Sequence, residues 1–148
     1  MTVEQIGRRL RTFYKVRSFH IDVYGHVNNA EYLRFAEMAR DDFMEYLGLT
    51  VPQLLDAGVR LVIAETRVRY LRPAVYGDTL EIWGWISELG RVRSVWEQEM
   101  RRAGTEEVLT HIWSRVACLD AGNRIIPIPA ALRQVLERVL EPAGNPPA

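Results

Sequence analysis

The sequence predicts an α+β fold of two layers, one long helix laid against one antiparallel sheet. Three observations carry that expectation. Between positions 28 and 48 apolar side chains recur at a spacing near 3.6, in a run bounded by Asn28 and Gly48. After position 58 the pattern changes to four long runs rich in Val, Ile, Thr and Trp. Short turns join those runs, so neighbouring strands are antiparallel. A helix that buries an apolar band against such a sheet gives a two-layer arrangement.

Each element follows from its residues. Positions 11–21 alternate weakly and read as a first strand. Phe13, Lys15, Arg17 and Phe19 fall on one face; Tyr14, Val16, Ser18 and His20 fall on the other. A tight polar turn, Tyr24-Gly25-His26, follows Asp22. Asn28 then opens the central helix. Its amide can accept an early N–H while Glu31 reaches back, as in a capping box. Leu33, Ala36, Ala39 or Arg40, Phe43 and Leu47 form the stripe, and Tyr32, Phe35, Met38 and Tyr46 widen it. So wide a band needs cover over much of the helix, and the sheet must curl to supply it. Gly48 can take the left-handed conformation that ends helices.

Thr50 caps a short second helix with Pro52 in its first turn, and Gly58 ends it. Strands are expected at 59–71, 79–89, 92–102 and 106–119. Arg72-Pro73, Gly77-Asp78, Gly90, Ala103-Gly104 and the stretch Asp120-Ala121-Gly122-Asn123 separate or close them. After Pro127 and Pro129, the positions Leu132, Val135, Leu136, Val139 and Leu140 mark an amphipathic C-terminal helix.

The chain has 148 residues, which fits one domain, expected over 1–141, with a flexible tail at 142–148 that is poor in apolar side chains. Lys and Arg number 19, and Asp and Glu number 19, so no broad positive field invites nucleic acid. The single Cys118 cannot form an internal disulfide, which fits a cytoplasmic location. No apolar run is long enough to span a bilayer, and the first residues lack the apolar stretch of a signal peptide. His20, His26, His111 and Cys118 lack metal-ligand spacing, so no metal is expected.

Asp22 precedes the helix by a few positions. Unpaired N–H groups and the helix dipole there favour developing negative charge. The plain structural readings stand beside that one. Asp22 can bond its own turn. Glu37 can be a solvated charge or pair with Arg40, three positions on. His26 can brace the turn, and Asn28 and Asn29 can serve as caps.

The stretch 22–37 carries the pattern D-x-x-G-H-V-N-N-x-x-Y-L-x-x-x-E, on Asp22, Gly25, His26, Val27, Asn28, Asn29, Tyr32, Leu33 and Glu37. Arg69-Tyr70 before Arg72-Pro73, Gly77-Asp78-Thr79-Leu80 and Gly90-Arg91-Val92-Arg93-Ser94 extend the likeness over most of 11–120. The chain thereby resembles the hotdog-fold thioesterases, specifically the 4-hydroxybenzoyl-CoA thioesterase-like group. The resemblance implies a five-stranded sheet curled around the long helix, with two protomers joining sheets and the site at their interface. It implies hydrolysis of an acyl thioester, usually acyl-CoA, by a homodimer or homotetramer. Coenzyme A enters only as part of the substrate, with no other cofactor, and an acyl carrier protein is an alternative carrier.

In one branch of the group the catalytic carboxylate stands at the position of Asp22, and in another at that of Glu37. The backbone N–H matching Asn29 would polarise the thioester carbonyl. His26 would orient Asp22 or donate to that carbonyl, and Arg91, Arg93 and Ser94 would contact the coenzyme. Plant acyl-carrier-protein thioesterases place an Asn where this chain has Tyr24. The hydratase branch expects D-x-N-P-x-H, whereas Tyr24 and Gly25 stand at its Asn and Pro. Asp22 could attack the carbonyl directly, giving a mixed anhydride, or activate a water. A hotdog module that binds acyl-CoA or an acyl carrier without turnover is the alternative of another class.

Overall fold

The computed structural model describes residues 2–142; most of the expected tail, 143–148, lies outside the described residues. One antiparallel sheet holds six strands: β1 (Glu4–Ile6), β2 (Arg9–Lys15), β3 (Arg60–Tyr70), β4 (Thr79–Leu89), β5 (Arg93–Arg102) and β6 (Val108–Leu119). Their order across the sheet is β1-β2-β4-β5-β6-β3, with β3 at one edge. The helices are α1 (Asn29–Leu47), α2 (Val51–Asp56) and α3 (Ala130–Glu137). The curled sheet wraps the long helix, as the hotdog resemblance implies.

The sheet has six strands where five were expected. The added one, β1, hairpins onto β2 through Gly7, at φ +61. The expected first strand, 11–21, is also re-placed. It runs Arg9–Lys15, and the chain then turns through a 3₁₀ segment at Ser18–His20. There the main-chain N–H of Arg17 donates to His20 Nδ1 at 2.8 Å, a local bond that competes with extended pairing.

Helix α1 packs its Phe35, Ala36, Ala39 and Phe43 onto the concave face of the sheet. The approach is close. A Cβ on Gly84, in mid-β4, would sit 2.4 Å from Phe43 Cε2, so the strand needs glycine there. Trp96 of β5 stacks on Phe43 from the same layer, with ring centroids 6.2 Å apart. The stripe is narrower than its sequence suggests. Leu33, Met38 and Tyr46 are each more than 40% exposed, because a single chain supplies cover on only one side of the helix.

The Asn28 cap forms, with its Oδ1 accepting the Ala30 N–H at 2.9 Å, but no capping box does. The Asn28 N–H is already taken by the His20 carbonyl at 2.9 Å, so Glu31 has nothing to reach for. Helix α3 stops at Glu137, earlier than the apolar spacing suggests. Beyond it Val139 accepts from, and Glu141 donates to, the backbone of Ile86, filling the place beside β4 that β2 vacates.

Trp83, Trp85 and Trp113 alternate with core positions and lie on the convex face. Each is roofed by an arginine: Arg9 stands 3.7 Å over Trp85, Arg11 and Arg101 cover Trp83, and Arg67 covers Trp113. Among the described residues no helix is long and apolar enough to cross a membrane.

Candidate active site

The stretch 22–29 is held by its backbone. Ile21 and Val27 form an antiparallel bridge, and the Asp22 N–H donates to the His26 carbonyl at 2.9 Å. Gly25, at φ +79, closes the turn back to the Asp22 carbonyl at 3.1 Å. Asp22 Oδ1 accepts the Tyr24 N–H at 2.8 Å, the Asx turn that an aspartate makes readily. The Val27 N–H donates to the Ala74 carbonyl, pinning the turn to the loop after β3.

Two tyrosines brace the helix start. Tyr32, buried, accepts the Ala74 N–H at 3.0 Å through its hydroxyl. Tyr70, the last residue of β3, donates to the Asn29 carbonyl at 3.0 Å. Arg102 fixes the same loop from below, pairing with Asp78 and donating to the Pro73 carbonyl at 3.0 Å.

These residues surround a cleft of ≈ 380 Å³ lined by Asp22, His26, Val27, Asn29, Tyr32, Tyr70, Leu71, Arg72 and Pro73. Asp22 is half-buried in its wall. The Asn29 N–H, at the first position of α1, has no protein acceptor among the described residues. Asp22 and Asn29, whose N–H has no acceptor among the described residues, therefore line one cavity at a helix N-terminus. That pair can supply an attacking or activating oxygen and a donor for negative charge on a carbonyl oxygen.

The other expected site residues are placed as follows. His26 is exposed and lines the cleft, and its ring makes no hydrogen bond among the described residues. Its tie to Asp22 is through the main chain alone. Glu37 lies two turns along α1, about 12 Å from Asn29 by helical rise. It lines a second cavity, of ≈ 630 Å³, with Arg40, Asp41, Met44, Thr50, Leu61, Ile63, Trp96 and Val116 among its walls. Within one chain the two carboxylates thus face different cavities. Burial first, and then the charge of Glu37, raises the Asp41 carboxyl above the usual carboxylate range.

Arg91, Arg93 and Ser94 sit at the β4–β5 hairpin, at the opposite end of the sheet from Asp22. Arg93 pairs with Glu88 at 3.5 Å, the Arg91 carbonyl accepts the Ile128 N–H, and Ser94 is buried. Sequence reasoning left Tyr70, Arg72, Pro73 and Arg40 out of the site. Tyr70 and Pro73 carried one legible signal, an aromatic strand end separated by one residue from Arg72-Pro73. The place of Arg40 depends on packing across the sheet.

The profile of the family described as "Thioesterase-like superfamily" matches residues 16–136. The chain belongs to that superfamily. Among its relatives, the long-chain acyl-CoA thioesterase FadM of Escherichia coli is 29% identical over 133 residues, 89% of this chain and 100% of that protein. The crystal structure of YbaW, a probable thioesterase from Escherichia coli, superposes with a TM-score of 0.77 at 31% identity, covering 88% of this chain and 98% of that one. Slr0204, a 1,4-dihydroxy-2-naphthoyl-CoA thioesterase from Synechocystis, shares the fold at TM-score 0.81 and 17% identity, over 86% of this chain and 95% of its own. The superfamily match spans both cavities, the Asp22 turn and all of α1.

Proposed function

We propose that this chain is a thioester hydrolase acting on acyl-CoA, with Asp22 as base or nucleophile and the Asn29 N–H as oxyanion donor. One observation carries the reading: Asp22 and Asn29, whose amide has no acceptor among the described residues, line the same cleft. The full-length match to a long-chain acyl-CoA thioesterase supports the substrate class.

The Asn29 amide donates to the thioester carbonyl oxygen. As a base, Asp22 takes a proton from water while the new C–O bond forms. The tetrahedral intermediate then expels the coenzyme thiolate, which takes that proton back. As a nucleophile, Asp22 bonds the acyl carbon, the thiolate leaves, and water cleaves the resulting anhydride. Single turnover in ¹⁸O-water identifies the nucleophilic route when water attacks the aspartyl carbon of the anhydride. The label then stays on Asp22 and the acid carries an unlabelled enzyme oxygen, whereas the base route puts the label in the acid.

The working unit is a homodimer, with the cytoplasm as its compartment. Strand β3 is an unpaired edge of 11 residues. It carries Val62, Ile63 and Tyr70 at 38%, 46% and 49% exposure. Such an edge is a template for pairing. Helix α1 runs antiparallel to β3, with Asn29 beside Tyr70 and Glu37 on the cavity that holds Leu61 and Ile63. A two-fold axis through the middle of β3 would reverse one copy against the other. The Asp22–Asn29 end of each chain would then meet the Glu37 cavity of its mate. The same reversal would carry the Arg91–Ser94 hairpin of the second copy toward the Asp22 end, where a coenzyme phosphate could meet it.

Thiol release from a panel of acyl-CoA esters tests the assignment. Asp22→Ala is expected to lower kcat by about 10²–10⁴-fold, and Glu37→Gln by less. An Asp22→Ala protein with the wild-type rate would remove Asp22 from the reaction.

A further inference from the structure

The second cavity holds a half-buried cation with donors that no described residue accepts. Arg40 projects from α1 and donates through one guanidinium nitrogen to Gln98 Oε1 at 3.0 Å. Gln98, fully buried on β5, donates in turn to the Ala36 carbonyl at 2.9 Å, so the amide that receives Arg40 cannot swing away. Arg40 makes no ion pair among the described residues, and its other N–H donors have no acceptor there. Arg40 lines the cavity beside Trp96, Ile63 and Met44. A guanidinium has five donors in a planar fork and stays charged, so an apolar group laid over it strands them.

The rim adds a second constraint. Glu37, Asp41 and Glu45 line the same cavity at successive four-residue steps of α1. Three carboxylates against one guanidinium leave the cavity net negative, so an acyl group ending in its own carboxylate is repelled. A neutral oxygen can accept from Arg40 without that cost.

We infer that Arg40 is a specificity-determining residue that hydrogen-bonds a neutral hydroxyl or keto oxygen on the acyl group, so that oxygenated acyl thioesters are preferred over their plain hydrocarbon matches. This rests on the thioesterase reading above.

The test compares kcat/KM on matched coenzyme A thioesters that differ by one group: hydrogen, hydroxyl or carboxylate on the same acyl skeleton, aryl and aliphatic. Wild type is expected to favour the hydroxyl member over the hydrogen member on the order of tenfold to a hundredfold, and to turn over the carboxylate member worst. Arg40→Met, close in length and apolar, is expected to bring the hydroxyl-to-hydrogen ratio to about one, whatever the change in absolute rate. A wild-type ratio near one overturns the inference, and so does an Arg40→Met protein that keeps the wild-type ratio. If Arg40→Met fails to fold by circular dichroism, Arg40→Lys decides: it keeps the charge but loses the fork, and an unchanged ratio again overturns the inference. A wild type that hydrolyses no member of the panel overturns the thioesterase reading itself.

Discussion

The phenol of Tyr70, at the end of β3, donates to the main-chain carbonyl of Asn29, at the start of α1, across 3.0 Å. The bond ties the sheet edge to a residue that lines the Asp22 cleft. Burial raises the Tyr70 pKa, so the phenol remains a donor through neutral and mildly alkaline solution. Tyr70→Phe is expected to cost stability by at most about 1 kcal/mol, since the group is half exposed. The larger effect is expected on kcat, lowered several-fold with KM little changed, because the amide loses its fixed direction while the cleft keeps its shape. Steady-state kinetics beside a urea melt would separate the two. A fall in KM-dependent terms alone would show that Tyr70 only walls the cleft.

His20 makes the Asp22 loop sensitive to acid. Its Nδ1 accepts the Arg17 N–H, which only the neutral ring can do. Burial lowers its pKa below the usual histidine value, Arg17 adds to the effect and Glu31 opposes it. A depressed folded-state pKa gives stability that is fully present above the unfolded value, about 6.5, and is lost as pH falls through the folded value. Between pH 7.5 and 5, the wild type should therefore lose more thermal stability than His20→Asn, which keeps an acceptor near Nδ1 and does not titrate. Parallel melting curves for the two proteins over that range would show that His20 is not the group responsible.

Gly84 and Phe43 fix how closely α1 lies on the sheet. With a Cβ only 2.4 Å from the Phe43 ring, Gly84→Ala must shift a fully buried aromatic. The expected cost is about 1–3 kcal/mol. Phe43→Leu makes room for the new methyl, so the double variant should be more stable than the sum of the two single losses allows, with a coupling of at least about 0.5 kcal/mol. Additive losses in denaturant titrations would mean that the sheet, not the ring, gives way.

How far the sequence reaches can be seen along α1. The cap at Asn28, the left-handed Gly48 and the four long strands were legible because each rests on local chemistry that tertiary packing did not override. Leu33, Met38 and Tyr46 misled because an apolar side chain reads the same whether its cover comes from its own chain or from elsewhere. The missed capping box has the same origin: the His20 carbonyl, eight positions upstream, took the donor that Glu31 would have served. Asp22 and Asn29 could be picked out because they share one short motif. That Glu37 faces another cavity could not, since the separation depends on where β3 and β6 deliver Ile63 and Val116.

The β3 edge decides whether each site is complete in one chain. Lysines at positions 62 and 63 would set like charges beside each other across a two-fold pair of edge strands, the means by which sheets avoid such pairing. Neither side chain is in the core: Val62 is 38% and Ile63 46% exposed, so the double variant should fold with little loss. Light scattering is expected to show the wild type as a dimer and the variant shifted toward monomer, with at least about a tenfold weaker association constant, each substitution counting twice across the axis. If the Asp22 cleft of one chain needs the Glu37 cavity of its mate, specific activity should fall with dilution along the same curve as the dimer fraction. An active monomer would place the whole reaction in the cleft bounded by Asp22, Asn29 and Tyr70, and would leave the larger cavity without a part in it.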